Sequence, residues 1–417
     1  MADQVRTAER ARGGRRRAAG AVLAALLCAA GCSAPADEAP DTTARDIRAT
    51  LDRRAAAVLH HDAAGYAAVV APDATALRSA QRREIARLAD VPLGSWSYEL
   101  TDLSAHGSDR ATADVRLGYR IKGYDGAPVS VDRIVELARD PGDGRWYVTA
   151  DRAADGGVRQ LWEQGDIEVV RGAHSLVLGV GRSRDELDKI AATADEAVPA
   201  VSAAWPERWA GRVVVLVPDS VTEMGELLGS PAANYRGIAA VTTGETGGSG
   251  KAPADRVIVN PEAYAQLGDF GQRVVLTHET THVATRKRTS AATPTWLSEG
   301  FADWAAYRDQ ERTAEEIAPE LADAVRAGDG PAALPEDEDF AFAGEAGRLA
   351  KAYEGGWLAC ELIAGHWGEA KLFAFYRAVG AHRGRDGAVE EALHEVLGTT
   401  PQDFTARWRV YLRDRLG

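Results

Sequence analysis

His278 and His282 stand four residues apart and enclose Glu279, Thr280 and Thr281. On an α-helix that spacing puts both imidazoles one turn apart on the same face, so two ring nitrogens can reach one ion at about 2.0–2.1 Å. Glu279 then lies one step round the helix beside the ion, where a carboxylate accepts a proton from water instead of ligating. After 16 intervening residues, Glu299 and Asp303 form a second pair one turn apart. They fall in residues 294–304, PTWLSEGFADW, a pattern that predicts a second helix. A third metal ligand and its support fit there.

HETTH followed by WLSEGFADW resembles the gluzincins, zinc peptidases whose third ligand is a Glu on a second helix and which include thermolysin and the zinc aminopeptidases. The resemblance is carried by residues 270–310. It implies that His278, His282 and Glu299 hold Zn2+, that Glu279 is the general base, and that Asp303 accepts the outer N–H of a ligand histidine and so fixes its tautomer. It also implies hydrolysis of a peptide or protein substrate by a zinc-activated water. The interval from His282 to Glu299 is shorter than in the best-known members. No Gly-x-Met-Glu-Asn stretch, with which the zinc aminopeptidases read a substrate's N-terminus, occurs in the chain, which favours an endopeptidase. Related families place a catalytic tyrosine beyond the third ligand, and Tyr353 in AYEGGW, which is expected to open a helix, stands at a similar point as the expected oxyanion donor. His366, about three and a half turns further along the same helix, is the alternative donor, with a helix-end or packing role as its favoured reading.

The chain that must position these residues has 417 residues, 45% of them hydrophobic, enough for two or three domains with real cores. Its net charge is −13; the first 31 residues carry six Arg against Asp3 and Glu9, so the remainder stands at −13 − 4 = −17. That balance argues against nucleic acid and against a basic patch for anionic lipid. Residues 1–31 read as a signal peptide: Arg15-Arg16-Arg17, an apolar run at 18–30 too short to span a bilayer, then Gly31. Ala-Ala-Gly-Cys resembles a bacterial lipobox, which implies that Cys32 is lipidated and that the exported chain sits on the outer face of the cell membrane. Each buried CH₂ of such an anchor contributes about 0.8 kcal/mol. Cleavage near Ala34 or Ala36 would instead release a secreted protein. Residues 32–44, rich in Pro and acids, read as a tether. Beyond Cys32 only Cys360 remains, in an apolar run that marks it as a buried hydrophobe, so no disulfide framework is expected.

The fold class reads as α+β. Residues 45–155 show helical periodicity first and then alternating strands at 96–103, 110–121, 129–138 and 146–150. This order, helices and then a curved antiparallel sheet, is similar to the nuclear-transport-factor-like cone folds. Residues 162–417 read as a gluzincin-like domain. In it a zincin-like mixed sheet carries the active-site helices over 162–310, and a helical subdomain follows over 311–417. Strands are expected at 167–171, 175–180, 213–217, 237–243 and 256–260, with a Gly-rich loop at 244–251. In gluzincins an edge strand of such a sheet holds the substrate backbone by β-augmentation, and 237–243 is the expected strand here. The metal helix is expected from about Asp269, as N-cap with Gln272 as partner, to Arg286.

Blander readings cover other polar and aromatic groups. His60-His61-Asp62 reads as a helix end, since adjacent histidines point to different sides. Trp205, Trp209 and Trp296 read as core aromatics. The competing functional reading is a non-catalytic or latent surface lipoprotein whose cone-like domain binds a ligand or partner. An intact Glu279 and three assigned ligands rather than four favour the enzyme.

Overall fold

A computed structural model of the chain describes residues 42–243, 254–341 and 346–417. The expected signal peptide, the lipidation site Cys32, nearly all of the tether and the loop at 244–251 lie outside the described residues. The strands with the strictest alternation form where alternation places them. Three helices, α1 (Thr42–Leu59), α2 (Ala63–Ala68) and α3 (Thr75–Arg87), lead into β1 (Leu93–Ala105), β2 (Arg110–Ile121), β3 (Val129–Arg139) and β4 (Trp146–Ala153). These strands make an antiparallel sheet in sequence order. In β2 the residues Ala111, Ala113, Val115, Leu117, Tyr119 and Ile121 are buried while their neighbours face outward, the half-buried pattern of period two. Helix α1 starts inside the stretch read as tether, and Ala44 is already buried.

A short helix, α4 (Leu161–Gln164), leads to β5 (Ile167–Arg171), β6 (Ser175–Val180), α5 (Arg184–Ala204), β7 (Val213–Val217), α6 (Val221–Leu228), β8 (Ala240–Thr242), β9 (Val257–Val259) and α7 (Pro261–Tyr264). The second sheet has the order β5-β6-β7-β9-β8, with β6, β7 and β9 parallel and β8 antiparallel at the edge. Every residue of β7 is buried, as expected of a strand covered on both faces. On one face Val213, Val215, Val217, Val257 and Val259 pack toward α5 and the helix that follows α7. On the other, Val214, Leu216, Val241 and Ile258 belong to a single apolar core with Trp96, Tyr119 and Val148 of the first sheet.

The two sheets therefore share an interior. Trp162 stands 5.3 Å from Trp96 and 5.0 Å from Tyr119, ring centre to ring centre. Arg256, next to β9, donates both terminal nitrogens to Asp125 of the β2–β3 turn at 2.7 Å, and both side chains are buried. Residues 43–417 form one compact unit.

The sheet delivers the chain to α8 (Asp269–Thr285) and α9 (Thr295–Tyr307), followed by α10 (Ala314–Ile317), α11 (Pro319–Ala327), α12 (Ala346–Trp367), α13 (Glu369–Ala381), α14 (Ala388–Ala392) and α15 (Pro401–Leu416). Trp205 and Trp296 are buried in the helical core with Phe301, Phe375 and Tyr376. Cys360 is fully buried there, and burial pushes its thiol pKa up. Helices α9 and α12 meet backbone to backbone: a Cβ at Gly300 would fall 2.2 Å from the Gly356 carbonyl oxygen, so only glycine fits.

Candidate metal centre

The spacing of His278 and His282 does what an α-helix requires of it. Helix α8 carries both rings on one face, and α9 brings Glu299 and Asp303 against them. The His278 Nε2 lies 3.0 Å from His282 Nε2 and 3.2 Å from Glu299 Oε2, and His282 Nε2 lies 3.5 Å from the same oxygen. Three ligand atoms about 2.0–2.1 Å from one ion in a tetrahedral array stand roughly 3.3 Å apart. The observed triangle has that size. These three residues are the one His/Cys/Asp/Glu group among the described residues able to hold a metal ion. His282 and Glu299 are buried, and His278 exposes 12% of its side chain.

Asp303 supplies the support. Its Oδ1 accepts from His278 Nδ1 at 2.7 Å, which leaves the Nε2 lone pair aimed at the triangle. The electrostatics reflect three groups competing for protons. Burial alone lowers the His278 pKa, but Asp303 and Glu299 outweigh it and hold the imidazole well above its usual value. Burial alone raises the Glu299 carboxyl, and His282 and His278 reverse that and hold it below the carboxylate range. Burial raises Asp303. A cation bound among these atoms would compete with protons for the same lone pairs.

Glu279 is 6% exposed and follows the first ligand directly. Its Oε2 accepts a hydrogen bond of 2.7 Å from Thr242 Oγ1 on the edge strand β8. Strand β8 is shorter than the expected 237–243, covering three residues, because the chain at 236–239 turns out of a 3₁₀ segment before pairing with β9. Tyr353 comes from the third side. Its ring centre is 6.2 Å from that of His278, and it meets the Phe340 ring edge to face. A cleft of about 500 Å³ opens here, walled by Ile238, Tyr307, Leu349, Tyr353 and Trp357, with Asp303 and Glu354 on its polar side.

Two expectations are corrected, and two helix-end readings, for His366 and for His60-His61-Asp62, agree with the structure. Asp269 is the first residue of α8 rather than its cap; Gly268 caps it without a side-chain bond, and Gln272 donates instead to the carbonyls of Tyr264 and Leu267. Helix α12 is already formed at Ala346, so Tyr353 sits in its second turn rather than at its start. His366 is exposed at the far end of α12, where Arg407 donates to its Nε2 at 3.0 Å, away from the metal group. His60-His61-Asp62 ends α1: Asp62 caps α2 by accepting from Gly65, and His61 takes a left-handed φ of 52°. Thr242, Tyr307, Trp357 and Glu354 were not singled out by sequence reasoning. For Thr242 a signal existed, a hydroxyl in an apolar strand.

No family model and no curated protein matches the chain. Among solved structures, a function-unknown protein from Mycobacterium tuberculosis, Rv3472 in a single-substitution form, is 19% identical over 29% of this chain and 79% of its own, with a TM-score of 0.23. Among the described residues no helix is long and apolar enough to cross a membrane.

Proposed function

We propose that this protein is a zinc-dependent peptidase of gluzincin type that hydrolyses peptide bonds in exported or cell-surface peptide and protein substrates. The observation that carries the reading is the triangle of His278, His282 and Glu299 at tetrahedral ligand spacing, with the Glu279 carboxylate on the adjoining residue. A zinc ion held there supplies Lewis acidity, which brings the ionisation of water to about pH 7. Glu279 takes the proton of the attacking water and returns it to the leaving amine, so its charge is restored at each turnover. Asp303 holds His278 in the tautomer that presents Nε2. The Tyr353 hydroxyl donates to the oxyanion that develops on the carbonyl. The outer side of β8, which pairs with no other strand among the described residues, offers backbone groups to an extended peptide, and the aromatic cleft beside it takes a side chain.

The test is metal content and proteolysis of the purified chain from Asp41 onward, beside Glu279→Gln. One zinc per chain in both, with cleavage of an unfolded protein by the wild type alone, is the expected result; a wild type that binds no zinc overturns the reading. Cys32 acylation places the enzyme on the outer membrane face in this reading. Cys32→Ala is then expected to move it from the membrane fraction to the medium, and a variant that stays with the membrane counts against the anchor.

A further inference from the structure

We infer that Thr242 is a positioning residue for Glu279, and that the three-residue edge strand carrying it sets both the peptide's backbone and the base that acts on it. The inference rests on the peptidase reading. Strand parity comes first. Ala240 and Thr242 face α8, while Val241 faces the opposite core. The α8-facing positions of β7, β9 and β8 are Val213, Val215, Val217, Val257, Val259, Ala240 and Thr242, so Thr242 is the one polar side chain on that surface. A valine would fill its place by volume, and it is fully buried, so packing does not call for the hydroxyl.

The hydroxyl has one proton and two acceptors within reach: Glu279 Oε2 at 2.7 Å and the Glu279 backbone carbonyl at 3.0 Å. While Glu279 is a carboxylate, donation to Oε2 is the charge-assisted and stronger bond. Once Glu279 has taken the proton of water on its other carboxyl oxygen, Oε2 is the carbonyl oxygen of the acid and still accepts from Thr242, so the proton stays on the side of the leaving amine. No proton is gained or lost by Thr242 in this step. The carboxyl group keeps one rotamer through both halves of the cycle.

The strand is itself fixed to the helix. Arg286, four residues beyond His282, donates Nη2 to the Thr243 carbonyl and Nε to Asp255, each at 2.8 Å. The arginine therefore ties α8 to the residue after Thr242, and pairing with β9 fixes all three residues of β8 within the sheet.

Thr242→Val removes the hydroxyl at nearly constant volume, and Thr242→Ser keeps it. The expected result for Val is a kcat lower by about ten- to a hundredfold, the scale of a misplaced catalytic group, with KM, zinc content and melting temperature near wild type. Serine is expected to restore kcat to within about threefold, since the hydroxyl and not the methyl is at work. Crystal structures of the zinc-loaded wild type and Val variant read the same point without activity: the Glu279 side chain leaves its rotamer in the variant. Wild-type kcat in Thr242→Val, a serine variant as impaired as valine, or an unmoved Glu279 would each overturn the assignment. Should the wild type itself cleave nothing, the peptidase reading fails, and the Glu279 rotamer alone decides the role of Thr242.

Discussion

At the scale of single residues, the centre is built from groups that are costly to bury singly and cheap together. Glu299 and His282 are both buried, and the imidazoles beside Glu299 offset the cost of burying its carboxylate. Asp303 has no place in the triangle, yet its bond to Nδ1 decides which nitrogen of His278 faces it. Replacing it by Asn keeps the volume and removes the charge, so Asp303→Asn is expected to weaken metal binding by about 10–100-fold. Competition titration against a chelator measures this directly. An affinity equal to wild type would show that ring orientation is fixed by packing alone. These residue types and their spacing were legible in the sequence because helix geometry is local: residues four apart meet whatever the rest of the chain does. The partner of Glu279 was not, because Thr242 lies 37 residues away and reaches it only through the sheet.

Elements add constraints that no single side chain carries. Helices α9 and α12 cross at Gly300 and Gly356, and this close approach lets α12 present Tyr353 to the ring of His278. Gly300→Ala puts a methyl into the facing carbonyl, which requires the helices to separate. A destabilisation of about 1–3 kcal/mol is expected, read by denaturant unfolding, together with a fall in kcat; unchanged stability would mean that the crossing is loose. Two residues from this crossing, Glu354 accepts backbone N–H groups at the start of α11 from Glu320 and Leu321. Burial, and then the neighbouring Glu320 carboxyl, push it up to about 8. Between the ordinary carboxylate range and about 8, the folded chain holds a proton there that the unfolded chain has released. Stability therefore falls as pH rises through that window. Glu354→Gln is expected to narrow the loss of melting temperature between about pH 5 and pH 9. An equal loss in wild type and variant would rule Glu354 out as its source.

On the scale of the whole molecule, the first sheet is part of the wall behind the second. Val214, Leu216, Val241 and Ile258 would face water without Trp96, Tyr119 and their neighbours. Deleting residues 45–155 is therefore expected to yield aggregated protein rather than a released enzyme, as solubility and size-exclusion profiles will show. A soluble, active deletion variant would establish that the shared core is dispensable. The buried Asp125–Arg256 pair gives a milder probe. Asp125→Ala leaves an arginine buried without its partner, for which a loss of about 3–5 kcal/mol is expected. Because Asp255 and Arg286 continue from Arg256 to α8, the same variant is expected to lower activity before it unfolds, measured by kinetics below the melting transition.

The sequence by itself determined the grouping of His278, His282 and Glu299, the alternating strands and the α+β order, since each is encoded in neighbours whose period is set by backbone geometry. It also indicated the edge strand beside the metal helix, though not its short length. Tertiary structure alone decided that two sheets expected as separate domains share one core, that Tyr353 lies 6.2 Å from the His278 ring, and that Thr242 donates to Glu279. Each of these depends on contacts between residues far apart in the chain, and long-range packing is chosen by total burial and by which faces can be covered, quantities that no local period records.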